Sequence, residues 1–225
     1  MLKRFIMALA LLVSFCTSSF AAGEGKLNML GFSSDSQFFV LIESVIEDGS
    51  GIPTAKIIIA DIATNECVRS GCFSKEGSEE EDDELQVLSK VYQKTWKLRK
   101  KLKLTPPRIG YQAKGPLFDK ERKTNYYVYD NQKIYVDMQQ KTMPGPDEFY
   151  EKAAVQLTVS SVSKKDKVKK VLDSLSNYRQ GVQKYELGNL YVSPDKKSIA
   201  ILVRVFYLGF EGADIRTIVQ TAKLF

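Results

Sequence analysis

The sequence predicts a β-dominated α+β domain with antiparallel sheets, blade-like strand pairs at both ends and one main helix. Short apolar segments rich in β-branched and aromatic residues lie near both ends of the chain. One long segment, about residues 80–103, has apolar residues at the three- or four-residue spacing of a helix. The two ends also share a pattern, because residues 30–65 align with residues 190–225 without a gap.

Each copy of this repeat contains a Ser-x-Asp turn, an apolar strand, a glycine-containing connection and a second apolar strand. The aligned positions include Ser33 with Ser193, Asp35 with Asp195, Gly49 with Gly209, and Lys56 with Arg216. Strands near the two termini often pair to close a domain, so we expect the two copies to be neighbours in one sheet. Two blade-like copies cannot close a propeller alone, since propellers have about four or more blades.

The first residues have the composition of an export signal. Lys3 and Arg4 precede an apolar stretch, residues 5–15, that is too short to span a bilayer comfortably. We therefore predict a periplasmic or secreted protein. No later stretch is long and apolar enough for a membrane helix, so no integral span is expected after the signal is removed.

Small residues at Ser19 and Ala21 predict signal cleavage after Ala21, which leaves a single secreted domain of residues 22–225. A retained N-terminal anchor is the alternative. A lipoprotein anchored at Cys16 is disfavoured, because Phe15 stands where lipoprotein processing needs a small residue.

The first repeat copy predicts strands at residues 27–32, 38–46 and 56–63. Residues 38–46 show little alternation, which indicates a strand buried on both faces. Residues 33–36 form a polar turn, and residues 47–53 form a loop because they contain two glycines and a proline.

Cys67 and Cys72 are the cysteines that remain after export, an even number in an oxidising compartment. Their spacing favours a small disulfide that closes a turn after a strand. A redox pair is a weaker alternative, since thioredoxin-like motifs separate their cysteines by two residues, and free thiols are a third possibility.

Residues 85–104 predict an amphipathic helix that ends before Pro106 and Pro107. Acidic residues precede this helix and basic residues fill its later turns, which matches the helix dipole at roughly 0.3–1 kcal/mol per well-placed charge. We interpret both charge runs as a solvated face rather than a binding patch. Trp96, the single tryptophan, is interpreted as a packing residue.

Residues 125–140 predict a β-hairpin with a turn at Asp130 and Asn131. Four tyrosines in this hairpin favour cross-strand aromatic pairs over a sugar or peptide platform: Tyr126, Tyr127, Tyr129 and Tyr135. Residues 154–161 alternate as a half-buried strand does, and residues 164–170 suit a short helix or a solvated loop.

The second repeat copy repeats the pattern of the first. Residues 198–208 predict its long apolar strand, residues 209–214 its connection, and residues 216–224 its closing strand.

Histidine is absent from the sequence, which excludes Ser-His-Asp and Cys-His catalysis and the usual zinc sites. No phosphate loop or dinucleotide fingerprint occurs, so we predict no cofactor and no metal. The candidate binding residues lie in or beside the two equivalent connections: Glu47, Asp48, Glu211, Asp214 and Arg216. They suit a non-catalytic binding or envelope-associated module, with a carboxylate-dependent hydrolase as the alternative.

The formal charge of +6 falls when the two basic residues of the signal are removed. The basic residues lie in local runs without aromatic interleaving, which does not favour nucleic acid. The predicted partner is therefore an unknown envelope component or a small ligand.

Four segments resemble a family of predicted secreted bacterial proteins known only as a domain of unknown function. They are residues 30–35 (LGFSSD), 47–53 (EDGSGIP), 61–64 (DIAT) and 209–216 (GFEGADIR). The resemblance implies secretion and a shared fold, and it carries over no activity.

Overall fold

The computed structural model describes residues 23–47, 49–78, 83–146, 151–162, 167–209 and 212–224. Within these ranges the chain forms one helix, α1 (Glu84–Lys101), and antiparallel strands, which confirms the predicted β-dominated α+β class. The strands, β1 to β15 in chain order, are Lys26–Phe32, Phe38–Ile46, Pro53–Asp61, Glu66–Cys67, Phe73–Glu76, Tyr111–Gln112, Lys114–Asp119, Thr124–Tyr129, Gln132–Met143, Lys152–Val162, Lys167–Asp173, Arg179–Gln180, Val182–Val192, Ser198–Leu208 and Ala213–Lys223.

The strands form three sheets. Sheet 1 has the order β1-β2-β3-β4, with β5 also paired to β3. Sheet 2 has the order β11-β10-β9-β8-β7, with β12 paired to β10, and sheet 3 has the order β15-β14-β13-β6. Sheets 1 and 3 therefore each hold one copy of the repeat. The predicted signal, residues 1–21, and Cys16 lie outside the described residues. In the described part of the chain, no helix is long and apolar enough to cross a bilayer.

The two copies fold alike. Phe32 faces Phe39 across β1 and β2, and the aligned Val192 faces Ile199 across β13 and β14, so the strand register is the same. Both of these pairings also contain an irregularity in the first half of the leading strand. The repeat seen in the sequence is thus a repeat of structure.

The Ser-x-Asp turns explain why each copy bends sharply after its first strand. The Ser33 hydroxyl donates to the Asp35 carboxylate at 2.6 Å, and the Ser193 hydroxyl donates to the Asp195 carboxylate at 2.5 Å. Each serine oxygen also accepts the N–H of the first residue of the next strand, at 3.0 and 2.9 Å. The hydrogen bond from Ser33 lowers the pKa of Asp35. At Asp195 the largest influence is burial, which raises the pKa, but the hydrogen bonds to the carboxylate, that from Ser193 foremost, outweigh it and the pKa is lowered.

The copies are not neighbours in one sheet, so that prediction was wrong. Sheets 1 and 3 instead pack face to face, where Phe39 and Leu41 meet Ala200 and Leu202. Helix α1 covers the outer face of sheet 1, and sheet 2 covers the outer face of sheet 3. The layer order is therefore α1, sheet 1, sheet 3, sheet 2. The physical reason is that β2 and β14 are apolar on both faces, and stacking covers both faces whereas edge pairing covers neither.

The hairpin of β8 and β9 has its turn where the sequence predicts it, with positive φ at Asp130 and Asn131. Its tyrosines divide between the two faces of sheet 2. Tyr127 is fully buried against sheet 3, and its hydroxyl donates to the carbonyl of Gly188 at 2.6 Å. Burial raises the pKa of the Tyr127 hydroxyl. Tyr126 lies on the other face, where the Lys133 ammonium lies over its ring, 4.4 Å from the ring centroid.

The prediction of a short helix or a solvated loop at residues 164–170 was wrong for residues 167–170, which the structure describes as a strand. Residues 163–166 lie outside the described residues, but Lys167–Asp173 is the edge strand β11, paired with β10. Leu172 is buried while Lys169 and Lys170 are exposed. Lysines are common on edge strands because they prevent further pairing, so a basic run is compatible with a strand here.

Helix α1 begins and ends close to the predicted bounds. Asp83 and Gln86 form a capping box, with the Asp83 carboxylate accepting the Gln86 N–H at 2.7 Å. Its last turn is basic, as predicted from the dipole. Cys67 and Cys72, which close the turn between β4 and β5, form the expected disulfide.

We predict that Tyr127→Phe lowers the free energy of unfolding by about 0.5–1.5 kcal/mol, because the partly buried hydrogen bond from its hydroxyl to the Gly188 carbonyl is lost. Tyr126→Phe, on the opposite face of the same strand, is the matched control and should change it by less than about 0.5 kcal/mol. Urea denaturation measures both. Equal effects of the two substitutions would contradict the inward placement of Tyr127.

Candidate functional site

The predicted site residues that the structure describes meet at the joint between sheets 1 and 3. The Arg216 guanidinium donates to the Glu47 carboxylate and lies 3.8 Å from that of Asp214. It also donates to the carbonyl of Gly23 at 2.9 Å. The connections of the two repeat copies therefore do converge on one cleft, of about 220 Å³. Asp48 and Glu211 lie outside the described residues.

A second ion pair lies deeper in the same cleft. The Glu43 carboxylate, 2% exposed, lies 3.1 Å from the Lys56 ammonium. It accepts the N–H of Thr217 at 3.2 Å and the Thr217 hydroxyl at 2.8 Å, while Lys56 donates to the Thr217 carbonyl at 2.8 Å. The first repeat copy thus satisfies both backbone groups of Thr217, which point away from β14 at the open edge of β15.

Backbone groups of β15 on both sides of Thr217 also have hydrogen-bond partners outside sheet 3. Ile215 exchanges backbone hydrogen bonds with Gly23 and Gly25, at 3.0 and 3.1 Å, and Asn65 accepts the N–H of Thr221 at 2.6 Å. A Cβ at position 25 would lie 2.4 Å from a Glu43 carboxylate oxygen, so any residue other than glycine would displace the Glu43 side chain. The cleft is therefore built first of all as a joint between the two copies.

This joint leaves little room for acid–base chemistry. A pair of catalytic carboxylates needs open space between them for the substrate, whereas Arg216 occupies the space between Glu47 and Asp214. In the part of the chain that the structure describes, no group of three or more potential metal ligands comes together.

A larger and more apolar cavity, of about 420 Å³, lies between α1, β1 and the segment that follows the helix. The residues that line it are Met29, Tyr92, Gln93, Trp96, Arg99, Thr105, Pro106 and Pro107. We refer to this cavity as the Arg99 pocket. None of the candidate residues chosen from the sequence lines it.

Arg99 is 3% exposed and is surrounded by aromatic and uncharged groups. Its guanidinium donates to the Thr95 hydroxyl at 3.1 Å and the Tyr92 carbonyl at 2.9 Å, and its remaining nitrogen has only the Met29 sulfur at 3.9 Å. The rings of Tyr92 and Trp96 lie 5.2 and 5.8 Å from it. Among the described residues, no carboxylate lies within ion-pair distance of Arg99.

The electrostatics of the pocket follow from this burial. Burial lowers the pKa of Arg99 and raises that of Tyr92. An arginine nevertheless keeps its proton at physiological pH, so the pocket contains a positive charge for which the described residues supply no counter-ion. The Thr105 hydroxyl, in the same lining, is buried and has no hydrogen-bond partner among the described residues. The Arg99 guanidinium and the Thr105 hydroxyl can therefore both donate to a ligand in this mostly apolar cavity.

Sequence reasoning missed this pocket because it assigned Arg99 to a solvated basic run and Trp96 to packing. The missed indication is the four-residue spacing of Val91, Thr95 and Arg99, which places Arg99 on the buried stripe of α1. Trp96, one residue along from Thr95, is 49% exposed at the rim. Leu85, the first apolar residue of the predicted helix, does not belong to this stripe and is 72% exposed.

The chain matches a family of predicted secreted proteins. The family described as Predicted secreted protein (DUF2259) matches residues 40–223, which is more than half of the chain. No curated protein and no solved structure matches the chain significantly.

We predict that Lys56→Met lowers the free energy of unfolding by about 2–4 kcal/mol, because it leaves Glu43 buried without its cation. Lys184→Met removes an exposed pair with Glu186 and should cost less than about 1 kcal/mol. A Glu43→Leu/Lys56→Met double variant should be less destabilised than the sum of its single variants. Chemical denaturation of the parent, these three variants and Glu43→Leu measures the effects, and a Lys56→Met effect as small as that of the control would contradict the joint.

Proposed function

The chain belongs to the DUF2259 family of predicted secreted proteins, and we propose that it is an exported, non-catalytic binding module whose ligand site is the Arg99 pocket. We retain residues 22–225 as one exported domain, with cleavage after Ala21. The partner in this proposal is a small ligand or the exposed part of an envelope component.

This proposal is supported above all by Arg99, which is buried and has no carboxylate partner in the part of the chain that the structure describes. Removing a guanidinium from water without a counter-ion costs free energy, and buried charges are normally paired. Thr95 and the Tyr92 carbonyl satisfy part of its hydrogen-bonding capacity but do not neutralise its charge. A bound anion would neutralise it, so the cost in the free protein is offset when the ligand is present.

The lining defines the rest of the ligand. Apart from Arg99 and Thr105, the walls are mostly apolar, with Trp96 and Tyr92 providing aromatic surface and Pro106 closing one side. A volume of about 420 Å³ is within the usual range for small-molecule sites. The expected ligand therefore has an apolar body and a single anionic group, such as a carboxylate.

The alternative function is a carboxylate-dependent hydrolase in the cleft at the joint. The convergence of Glu47 and Asp214 on one cleft favours it, and the position of Arg216 between the two carboxylates disfavours it. Arg216 there neutralises two acids and fastens the N-terminal segment, which is a stabilising role.

The hydrolase alternative is tested with chromogenic esters and glycosides. We expect the exported protein to hydrolyse them no faster than buffer. Hydrolysis that is lost in both Glu47→Gln and Asp214→Asn, and kept in the control Glu186→Gln, whose carboxylate is exposed, would contradict the non-catalytic proposal.

The binding proposal is tested with the fluorescent anion 8-anilinonaphthalene-1-sulfonate as the probe and decanoate as its competitor. We expect Arg99→Met to weaken decanoate binding by about 10- to 100-fold, the loss expected for a charge-assisted hydrogen bond, and to leave competition by the uncharged decanol unchanged. Trp96→Ala should weaken both competitors, because it removes apolar surface.

Lys97→Ala, next to Trp96 but exposed, is the matched control and should bind like the parent. Circular dichroism checks that each variant is folded, since the probe also binds partly unfolded chains. Equal binding of decanoate by the parent and by folded Arg99→Met, or no probe binding at all, would overturn the proposal.

A further inference from the structure

We propose that the natural ligand of the Arg99 pocket is the C-terminal end of an extended, apolar peptide, which adds a strand to the open edge of β1 and places its terminal carboxylate at Arg99. This inference rests on the proposed function and names its ligand class. The additional observation is the open backbone edge of β1, which lies next to the Arg99 pocket.

The first step is the open edge of sheet 1. In the strand order, β1 has β2 on one side and no strand on the other. Its outer contact in the described residues is one bridge, in which Phe32 donates to the Arg108 carbonyl at 2.6 Å and Arg108 donates to that of Phe32 at 2.8 Å. Backbone groups of residues two apart in a strand point the same way, so the N–H and C=O of Leu30 face outward beside this bridge.

The chain does not continue along this edge. At Gly110 it turns away towards β13, with a positive φ of 78°. A Cβ at Gly110 would lie 2.3 Å from the carbonyl of Val192, so the turn needs glycine. Among the described residues, no strand pairs with β1 on the N-terminal side of Phe32. Two of its carbonyls accept side-chain hydrogen bonds: that of Asn28 from the Tyr92 hydroxyl at 3.5 Å, and that of Lys26 from the Asn28 amide at 2.9 Å.

A groove of about 330 Å³ runs along the open edge and adjoins the Arg99 pocket. Its lining is Leu27, Asn28, Met29, Leu30, Pro107 and Ile109. Met29 and Pro107 line both cavities, so groove and pocket are contiguous. Three apolar side chains at this surface are exposed: Leu27 by 38%, Ile109 by 60% and Trp96 by 49%. An open strand edge with exposed apolar neighbours invites pairing with another chain.

These features together select a peptide end over other anions. A fatty acid or a similar amphiphile can satisfy Arg99, but it has no N–H and C=O groups to pair with Leu30. An internal peptide segment can pair with β1, but it brings no carboxylate in its backbone. A C-terminal segment supplies both, with main-chain hydrogen bonds for affinity and alternate side chains for the apolar groove.

The inference is tested on the mature chain with a synthetic peptide of alternating valine and threonine, labelled at its N-terminus, in a free-carboxylate and an amidated form. By fluorescence anisotropy, we expect the free-carboxylate form to bind about tenfold or more tightly than the amide. Arg99→Met should remove that difference, and Lys97→Ala should keep it. Hydrogen exchange of the Leu30 amide should slow when the free-carboxylate peptide binds.

The outcomes separate this inference from the proposal on which it rests. Arg99-dependent binding of decanoate without binding of either peptide would overturn the inference and leave the proposed function. Absence of both decanoate and peptide binding would overturn both. Peptide binding that is equal for the two forms, or that leaves exchange at Leu30 unchanged, would also overturn the inference.

Discussion

The structure depends on how the backbone N–H and C=O groups at the open edge of β15 find hydrogen-bond partners. Sheet 3 is an inner layer of the protein, between sheets 1 and 2, and β15 is its edge strand beside sheet 1. A buried N–H or C=O without a partner costs about 1–3 kcal/mol, and Thr217 presents both groups at this edge. Glu43 and Lys56, an ion pair from the first repeat copy, supply the partners that a neighbouring strand would supply. The two copies therefore stack face to face and remain in register without pairing.

This joint accounts for the charges in the repeat. Lys56 and Arg216 occupy aligned positions in the two copies, and each reaches across to the other copy, Lys56 to a backbone carbonyl and Arg216 to Glu47. The polar cleft is thus used to hold sheets 1 and 3 together. The feature that stability does not explain lies on the other side of sheet 1. Within the described ranges, Arg99 is buried there without a counter-ion, beside a strand edge that no other strand covers. A local cost of this kind is typical of a binding site rather than of a scaffold.

Much of the fold could be predicted from the sequence, because β2 and β14 are apolar over most of their length and clear turn residues separate the strands of both copies. Residues 198–208 form a strand with the predicted bounds. The stacking of the copies could not be predicted, since burial on both faces does not reveal which surfaces cover a strand. Lys167–Asp173 was missed because its lysines hide an edge strand whose partner is distant in sequence. Arg99 was missed because charge was weighted above its position on the helix stripe.

The central claim is that the repeat is the scaffold and the ligand site lies at Arg99. The most direct measurement is chemical-shift mapping of the isotope-labelled protein during titration with decanoate. The account predicts that the indole N–H of Trp96 and the side-chain Nε–H of Arg99 shift most, while the backbone amides around Glu47 and Thr217 do not move. Shifts concentrated at Glu47, Thr217 and Arg216, with none at Trp96, would contradict it.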